Sequence, residues 1–500
     1  MTTTPPRLPE SSGGSADEAL ESVPKRNWTL RWAAALIVVV LLGELAAFSY
    51  TLVATALPGI GAHFHATNIG WTVTIANLVT AVAVALIGKL ADLRGKRLIL
   101  VIVTALSALG AIISAMAPTY EVFLVGRGLQ GLLYVVPALG YSLIRDVFPK
   151  ALIAFAVTVT FTGAGVLFVV APFIAGWMID TFGALSVFWF LAIYQIGCIA
   201  GVLLLLPESP LRVKSRLDWL GALLLGGGGA ILVYALGQAA GWGWTSARFV
   251  GLTALGVGCF LVWLWWDRRF PEPIIEIGIL RARSGWTTLV LNGAVYGTTA
   301  IVVSLVPMMI QMPREIGGDA GFGTDASGVA VYMAPMGAAM VLGGLLCGSR
   351  AARWGIRYPM VFGCSALIIG AGGLALWHAE AWQVVTLLLV FGLGMGFTYG
   401  GLPNLVLQSA PPEKQGITSS IMLSAQNLTS ALAAQIAFGL LAMHVIASGE
   451  GVFFSGEGYR IAFIVAAVFA TAGLLILKIL PHGRASDVAS VKTAADVVGH

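Results

Sequence analysis

Fourteen apolar runs succeed one another between residues 33 and 480, each long enough for a helix to cross the hydrocarbon core of a bilayer, which takes about 20 residues. No other feature constrains the fold as much. A chain in lipid must satisfy its backbone hydrogen bonds internally, so runs of this length are helices and not open strands. They fall near 33–57, 71–91, 98–117, 122–144, 151–178, 184–206, 218–238, 247–266, 286–311, 328–349, 358–377, 382–408, 417–444 and 459–480. Charged residues make up 10% of the chain, against about 25% in a soluble domain, so a soluble enzyme, a nucleic-acid binder and a disordered scaffold are excluded as whole-chain readings. Cys198, Cys259, Cys347 and Cys364 all lie inside apolar runs and read as small core residues, not as a disulfide framework. The expected fold class is an all-α membrane protein.

The basic residues give the orientation. All but four of the 28 Lys and Arg residues fall in the tails and loops that this count places on one side. The exceptions are Arg248, Arg314 and Arg460 in opposite loops and Arg127 within a span. By the positive-inside rule both termini are cytoplasmic. The first 31 residues are polar and Pro/Ser-rich with no apolar run before a cleavage site, so they read as a disordered tail and not a signal peptide, and 482–500 reads as a second tail.

Two loops look alike. Gly88-Lys-Leu-Ala-Asp92-Leu-Arg94-Gly95-Lys96-Arg97 joins spans 2 and 3, and Gly348-Ser-Arg350-Ala-Ala352-Arg353-Trp-Gly355-Ile-Arg357 joins spans 10 and 11. Both carry glycines seven apart and end on Arg, which predicts two related six-helix halves (32–207 and 285–481) with a two-helix insert between them (208–284). The first loop resembles the signature of the major facilitator superfamily. Arg127-Gly-Leu-Gln130-Gly131 resembles the family's basic motif in span 4, and Ala171-Pro172-Phe-Ile-Ala175-Gly176 its antiporter motif in span 5, with Ala for Gly at two places. Asp218-Trp-Leu-Gly221, Gly241-Trp242-Gly243-Trp244 and Arg268-Arg269-Phe-Pro271-Glu-Pro273 are similar to the insert of its fourteen-span drug:proton antiporter branch. The resemblance implies a major facilitator fold of 6 + 2 + 6 helices in a bacterial plasma membrane, working as a monomer.

Charges inside a bilayer are costly and mark ion or substrate pathways. On these spans Glu44 and Arg127 sit well inside, and a carboxylate held between desolvation and a nearby cation can take up and release a proton. The alternatives are a static Glu44–Arg127 pair, or an arginine that braces carbonyls of neighbouring helices. The resemblance places an acid where this chain has Ser49, and Glu44 lies about 140° round the helix from that place.

Gly88, Asp92, Arg94, Gly95, Lys96 and Arg97 read as a gating loop in which Asp92 is the informative member, since topology alone asks for no acid there. Pro172 and Gly176 would let span 5 bend and pack closely, and the resemblance gives that stretch a role in sealing one face. Gln426, Tyr296 and Asn292 are the leading candidates for touching substrate, within aromatic walls suited to amphipathic or cationic compounds. His63 and His65 lack the companions of a metal site. The chain has no ATP-binding loop and no catalytic triad, so no cofactor and no enzymatic reaction are expected.

The function implied is proton-coupled export of amphipathic small molecules by alternating access. Export of a lipid-like or secondary metabolite, uptake with different coupling, and a membrane sensor that does not transport remain open.

Overall fold

A computed structural model describes residues 30–66, 68–148, 167–209, 217–271, 278, 281–317, 320–409, 415–448 and 451–481. The helices are α1 (Leu30–Phe64), α2 (Trp71–Arg94), α3 (Lys96–Ala115), α4, α5 (Leu167–Phe182), α6 (Ser186–Leu205), α7 (Trp219–Trp242) and α8 (Ala247–Asp267). They continue with α9 (Arg283–Gln311), α10 (Val329–Trp354), α11 (Arg357–Leu376), α12 (Ala381–Gln408), α13 (Gln415–Leu441) and α14 (Gly456–Ile479). Within α4, a 3-10 stretch at Gly131–Val135 separates α-helical Tyr120–Gln130 from Val136–Val147. Side-chain caps from Thr119, Asp218, Ser246 and Ser455 accept the free N–H groups that open α4, α7, α8 and α14.

Among the described residues, eleven helices are long and apolar enough to cross a membrane, and twelve when the segments Trp71–Val84 and Leu86–Arg94, bent by 47°, count as one span. The chain is therefore a multi-pass, all-helical membrane protein. The two further spans expected from sequence are α5 and α13. Residues 149–166, which hold most of the expected span 151–178, lie outside the described residues, as do residues 1–29 and 482–500 of the expected tails. Helix α13 is 27 residues long but carries Thr418, Ser420, Ser424, Gln426, Asn427, Ser430 and Gln435, too many polar groups for a lipid-facing helix. It packs instead among α2, α7, α9 and α14. A hairpin, β1 (Val445–Ser448) with β2 (Gly451–Phe454), occupies a stretch expected to be loop.

The helices form two groups. In the first, α3 packs on α4 and α6, and α1 on α4 and α6. In the second, α12 packs on α10 and α11, and α9 and α11 on α14. The groups meet along two seams, α1 with α9 and α2 with α13, and the α7–α8 pair lies over the second seam, with α7 touching both α2 and α13. Asp218 ties that pair together, accepting from Gly221 N at 2.7 Å and Trp266 Nε1 at 2.9 Å.

Candidate functional site

Near the start of α4, Arg127 is 1% exposed and turns its donors to partners within the first group. Nε donates to Thr72 O at 3.0 Å, Nη1 donates to Gln130 Oε1, Tyr134 lies within electrostatic reach of the guanidinium, and the Phe188 ring centroid lies 5.7 Å from Cζ. Glu44 is not among its partners. The acid is 4% exposed, with Tyr141 of α4 and Tyr194 of α6 within electrostatic reach. The two candidate proton-coupling residues are thus separate, and tyrosines lie between them. Tyr141 is within reach of Tyr296, which stacks on Tyr399 with centroids 4.6 Å apart. Tyr399 shares a 2.9 Å hydrogen bond with Thr299 Oγ1, and Tyr50 lies within reach of both Tyr399 and Tyr134. Tyr50 also bonds Ser304 Oγ at 3.1 Å, so this aromatic junction spans both groups. Ser49, at the place of the family's acid, is buried and its hydroxyl has no hydrogen-bond partner among the described residues.

The three substrate candidates separate on this geometry. Asn292 donates from Nδ2 to Met422 O at 2.8 Å, which braces α9 against α13. Tyr296 presents its ring to Tyr399, and Gln426 is half-buried with no hydrogen bond to a described residue.

At the end of the bundle that carries the 88–97 loop, a cluster of charges closes the first group. Lys96 is 4% exposed; Nζ lies 2.5 Å from Asp146 Oδ2 and 3.6 Å from Asp92 Oδ1. Ser209 Oγ donates to the same Asp146 oxygen at 2.7 Å. Glu208 accepts from Arg97 N at 2.9 Å and Leu98 N at 3.0 Å, capping the first turn of α3 where anionic charge is favoured. Gly95 has φ +115°, and a Cβ there would fall 2.8 Å from the Glu208 carboxyl carbon, so conformation and space both require glycine. A Cβ at Gly88 would meet nothing within 4 Å, and Arg94 is exposed.

The repeated loops do matching work. Gly95 and Gly355 both have positive φ and donate to Ala91 O at 2.9 Å and Ala351 O at 3.0 Å. The closing arginines each reach the last turn of a helix in their own group: Arg97 Nη2 donates to Leu203 O at 2.5 Å, and Arg357 Nη2 to Lys478 O at 3.0 Å.

At the opposite end the groups are joined. Asp180, at the end of α5, accepts from Ala326 N at 3.1 Å, from Ser327 N at 2.9 Å and from the Ser327 hydroxyl, just before α10 begins. Gly176, one turn earlier, lies against that same segment, and a Cβ there would overlap the Ser327 Cα. Pro172 is buried in α5. Thr74 Oγ1 donates to Gln435 Oε1 at 2.9 Å, and Gln311 Nε2 to Thr55 O at 3.0 Å, adding bonds along both seams towards this end.

Sequence reasoning did not single out Tyr50, Tyr134, Asp146, Asp180, Glu208 or Ser327. The acids carried a usable signal: Asp146 and Glu208 lie in segments where topology asks only for cations, as Asp92 does.

The family model of the Major Facilitator Superfamily matches residues 39–220 and 219–434. The chain is 25% identical over 444 residues to a tetracenomycin C resistance and export protein of Streptomyces glaucescens, covering 87% of this chain and 80% of that one. It is 26% identical over 478 residues to a uridine/deoxyuridine transporter of Lactococcus lactis, covering 91% and 97%. The crystal structure of a bacterial homologue of the human lysosomal transporter Spinster superposes with a TM-score of 0.63 at 13% identity, covering 91% of this chain and 99% of that one, a likeness of fold.

Proposed function

The chain belongs to the Major Facilitator Superfamily, and from that membership we propose that it exports amphipathic small molecules by alternating access, in exchange for protons. The observation that carries the reading is the tyrosine junction at mid-depth, which lies between a buried acid and a buried guanidinium and draws on both helix groups. Rocking of one group against the other changes the surroundings of Glu44 and thereby its hold on a proton. Tyr296, Tyr399 and Gln426 receive the cargo, their rings offering flat apolar faces that also attract cations.

Asp180 on Ala326 and Ser327 holds the opposite end shut while the end with the 88–97 loop gives access to cargo. In this reading α5 and α13 complete fourteen spans arranged 6 + 2 + 6, the basic end is cytoplasmic, and the protein works as a monomer in a bacterial plasma membrane. The export protein of Streptomyces glaucescens supports the direction.

The experiment is proton release on addition of lipophilic cations or neutral drugs to everted vesicles, for wild type and Glu44→Gln at equal protein levels. Release that disappears in the variant is expected. Release that persists assigns the proton elsewhere, and no release for any compound removes the antiport reading. Uptake is the second reading, favoured by Ser49 at the place of the family's acid and by the uridine/deoxyuridine transporter among the relatives. It is tested by counterflow of labelled nucleosides in the same vesicles.

A further inference from the structure

The α7–α8 pair takes no part in the junction described above, and it meets the rest of the bundle through two separate apolar clusters. Ala222, Trp263 and Ile421 centre one, and Leu78, Val233 and Ala431 the other. The glycine run 226–229 brings α7 close to both sides of the α2–α13 seam. A Cβ at Gly226 would fall 2.3 Å from Val82 Cγ2, and one at Gly229 would fall 2.9 Å from Leu428 Cδ1. Beside these tight contacts, lined by members of both clusters, lies a cavity of about 160 Å³. Its wall is almost wholly apolar and takes Val82, Leu225, Trp263, Leu289 and Ile421 from five different helices. Trp263 and Ser424 turn only carbon towards it, since the indole Nε1 and the hydroxyl Oγ are closed off within the packing.

Such a space selects its occupant by what the wall lacks. A buried water typically holds about three hydrogen bonds, and this wall offers it none. Left empty, the cavity would interrupt a close-packed interior, because wall atoms with nothing opposite them lose their dispersion contacts. An engineered apolar cavity of about 150 Å³ excludes water and takes up benzene, so this one has room for roughly six carbon atoms. Hydrocarbon is close at hand. Helix α8 packs along α7 and makes no comparable contact with α9, and only 11% of its spanning window is buried within the protein. Trp263 of α8 and Leu289 of α9 both line the cavity, so the slot between these two helices lies on its lipid side.

We propose that this cavity binds the hydrocarbon end of a membrane-lipid acyl chain, inserted between α8 and α9. The chain completes the packing of the α7–α8 pair against the α2–α13 seam, and it is recognised by shape and apolarity alone, without a hydrogen bond. The site is distinct from the tyrosine junction, and the proposal stands whether or not the protein exports cargo or exchanges protons.

The test holds the full-length protein in nanodiscs of phosphatidylcholine that carries a diazirine near the methyl end of one acyl chain. Irradiation converts the diazirine to a carbene, with loss of dinitrogen, and the carbene inserts into whatever C–H bonds it touches; digestion and mass spectrometry then locate the adducts. Adducts are expected on the stretch 421–428 of α13, which packs among other helices, as well as on Leu261 and Val262 of α8, which are 61% and 50% exposed. Ala425→Phe fills the cavity from α13 and Ala81→Leu fills it from α2. Each should abolish the α13 adducts, while those on α8 persist and report a folded, inserted protein. Labelling of α8 with none on 421–428 in the wild type overturns the proposal and leaves the cavity to a free apolar solute or to empty space. Labelling of 421–428 that both filling variants leave unchanged overturns it as well.

Discussion

Replacing Asp180 by Asn should release the end of the bundle that it closes. The carboxylate accepts two backbone N–H groups and one hydroxyl from Ala326 and Ser327, at the approach to the N-terminus of α10. Asn keeps one acceptor oxygen, loses the charge, and brings an N–H₂ group that faces donors. Net hydrogen bonds contribute about 0.5–1.5 kcal/mol each, and an anion near an exposed helix N-terminus about 0.3–1 kcal/mol. Asp180 is exposed, so the low ends of those ranges apply, and losing one bond with the charge removes about 0.8 kcal/mol from the closed arrangement. That moves an equilibrium between closed and open forms by roughly fourfold. Spin labels at Ala62 and Glu315, both exposed near this end, read the change by electron–electron double resonance, with half-buried Cys259 replaced by Ala. A longer-distance population should grow in Asp180→Asn and grow less in Ser327→Ala, which keeps both backbone bonds. Identical distance distributions in wild type and Asp180→Asn, in nanodiscs of the same lipid, would refute the latch.

Lys96→Met should destabilise the protein by about 3–5 kcal/mol, because it strips the cation from a buried carboxylate, and Lys96→Met/Asp146→Asn should recover much of that; midpoints of denaturant unfolding decide, and a single-variant loss below about 1 kcal/mol would place the pair with ordinary surface bridges. Gly95→Ala should cost at least about 1 kcal/mol through its positive φ and the displaced Glu208 cap, whereas Gly88→Ala, with open space at its Cβ, should stay within about 0.5 kcal/mol or gain slightly; the same unfolding assay compares them. Tyr399→Leu removes the stacked partner of Tyr296, a contact of about 0.5–1.5 kcal/mol, and should raise the KM for aromatic cargo roughly 2- to 12-fold at unchanged protein level, while an unchanged KM would remove the ring pair from the cargo path.

The helical class was legible because lipid burial imposes one length on every span, and the alternation of basic loops repeats that constraint independently. The Gly95/Gly355 and Arg97/Arg357 correspondence was also legible, since a turn needing positive φ and a side chain reaching a fixed carbonyl restrict residue type at fixed spacing. Helix α13 has the length of a span like the rest, but it packs among neighbouring helices and carries amides and hydroxyls over which hydropathy averages. What sequence could not give was partnership. Glu208 meets Arg97 across 111 positions, and Asp180 meets Ser327 across 147, so neither local spacing nor composition links them. Glu44 and Arg127 stand out in the sequence as its two charges well inside spans, but Arg127 turns to Thr72, Gln130 and Tyr134.

The two repeated corners differ at the residue that follows their shared positive-φ glycine. Where the first has Lys96, locked to Asp146 by a directed bond, the second has Ile356, buried at 3% exposure among apolar neighbours. A charged bond fixes an angle, whereas apolar contact resists separation but tolerates sliding. The first corner therefore behaves as a fulcrum and the second as a bearing. In any rocking stroke the corner at the start of α3 should turn with the end of α4 as one lever, while α10 and α11 take up the slack, an inequality of compliance that amide hydrogen exchange along the two corners would register as slower opening at residues 92–98 than at 352–358.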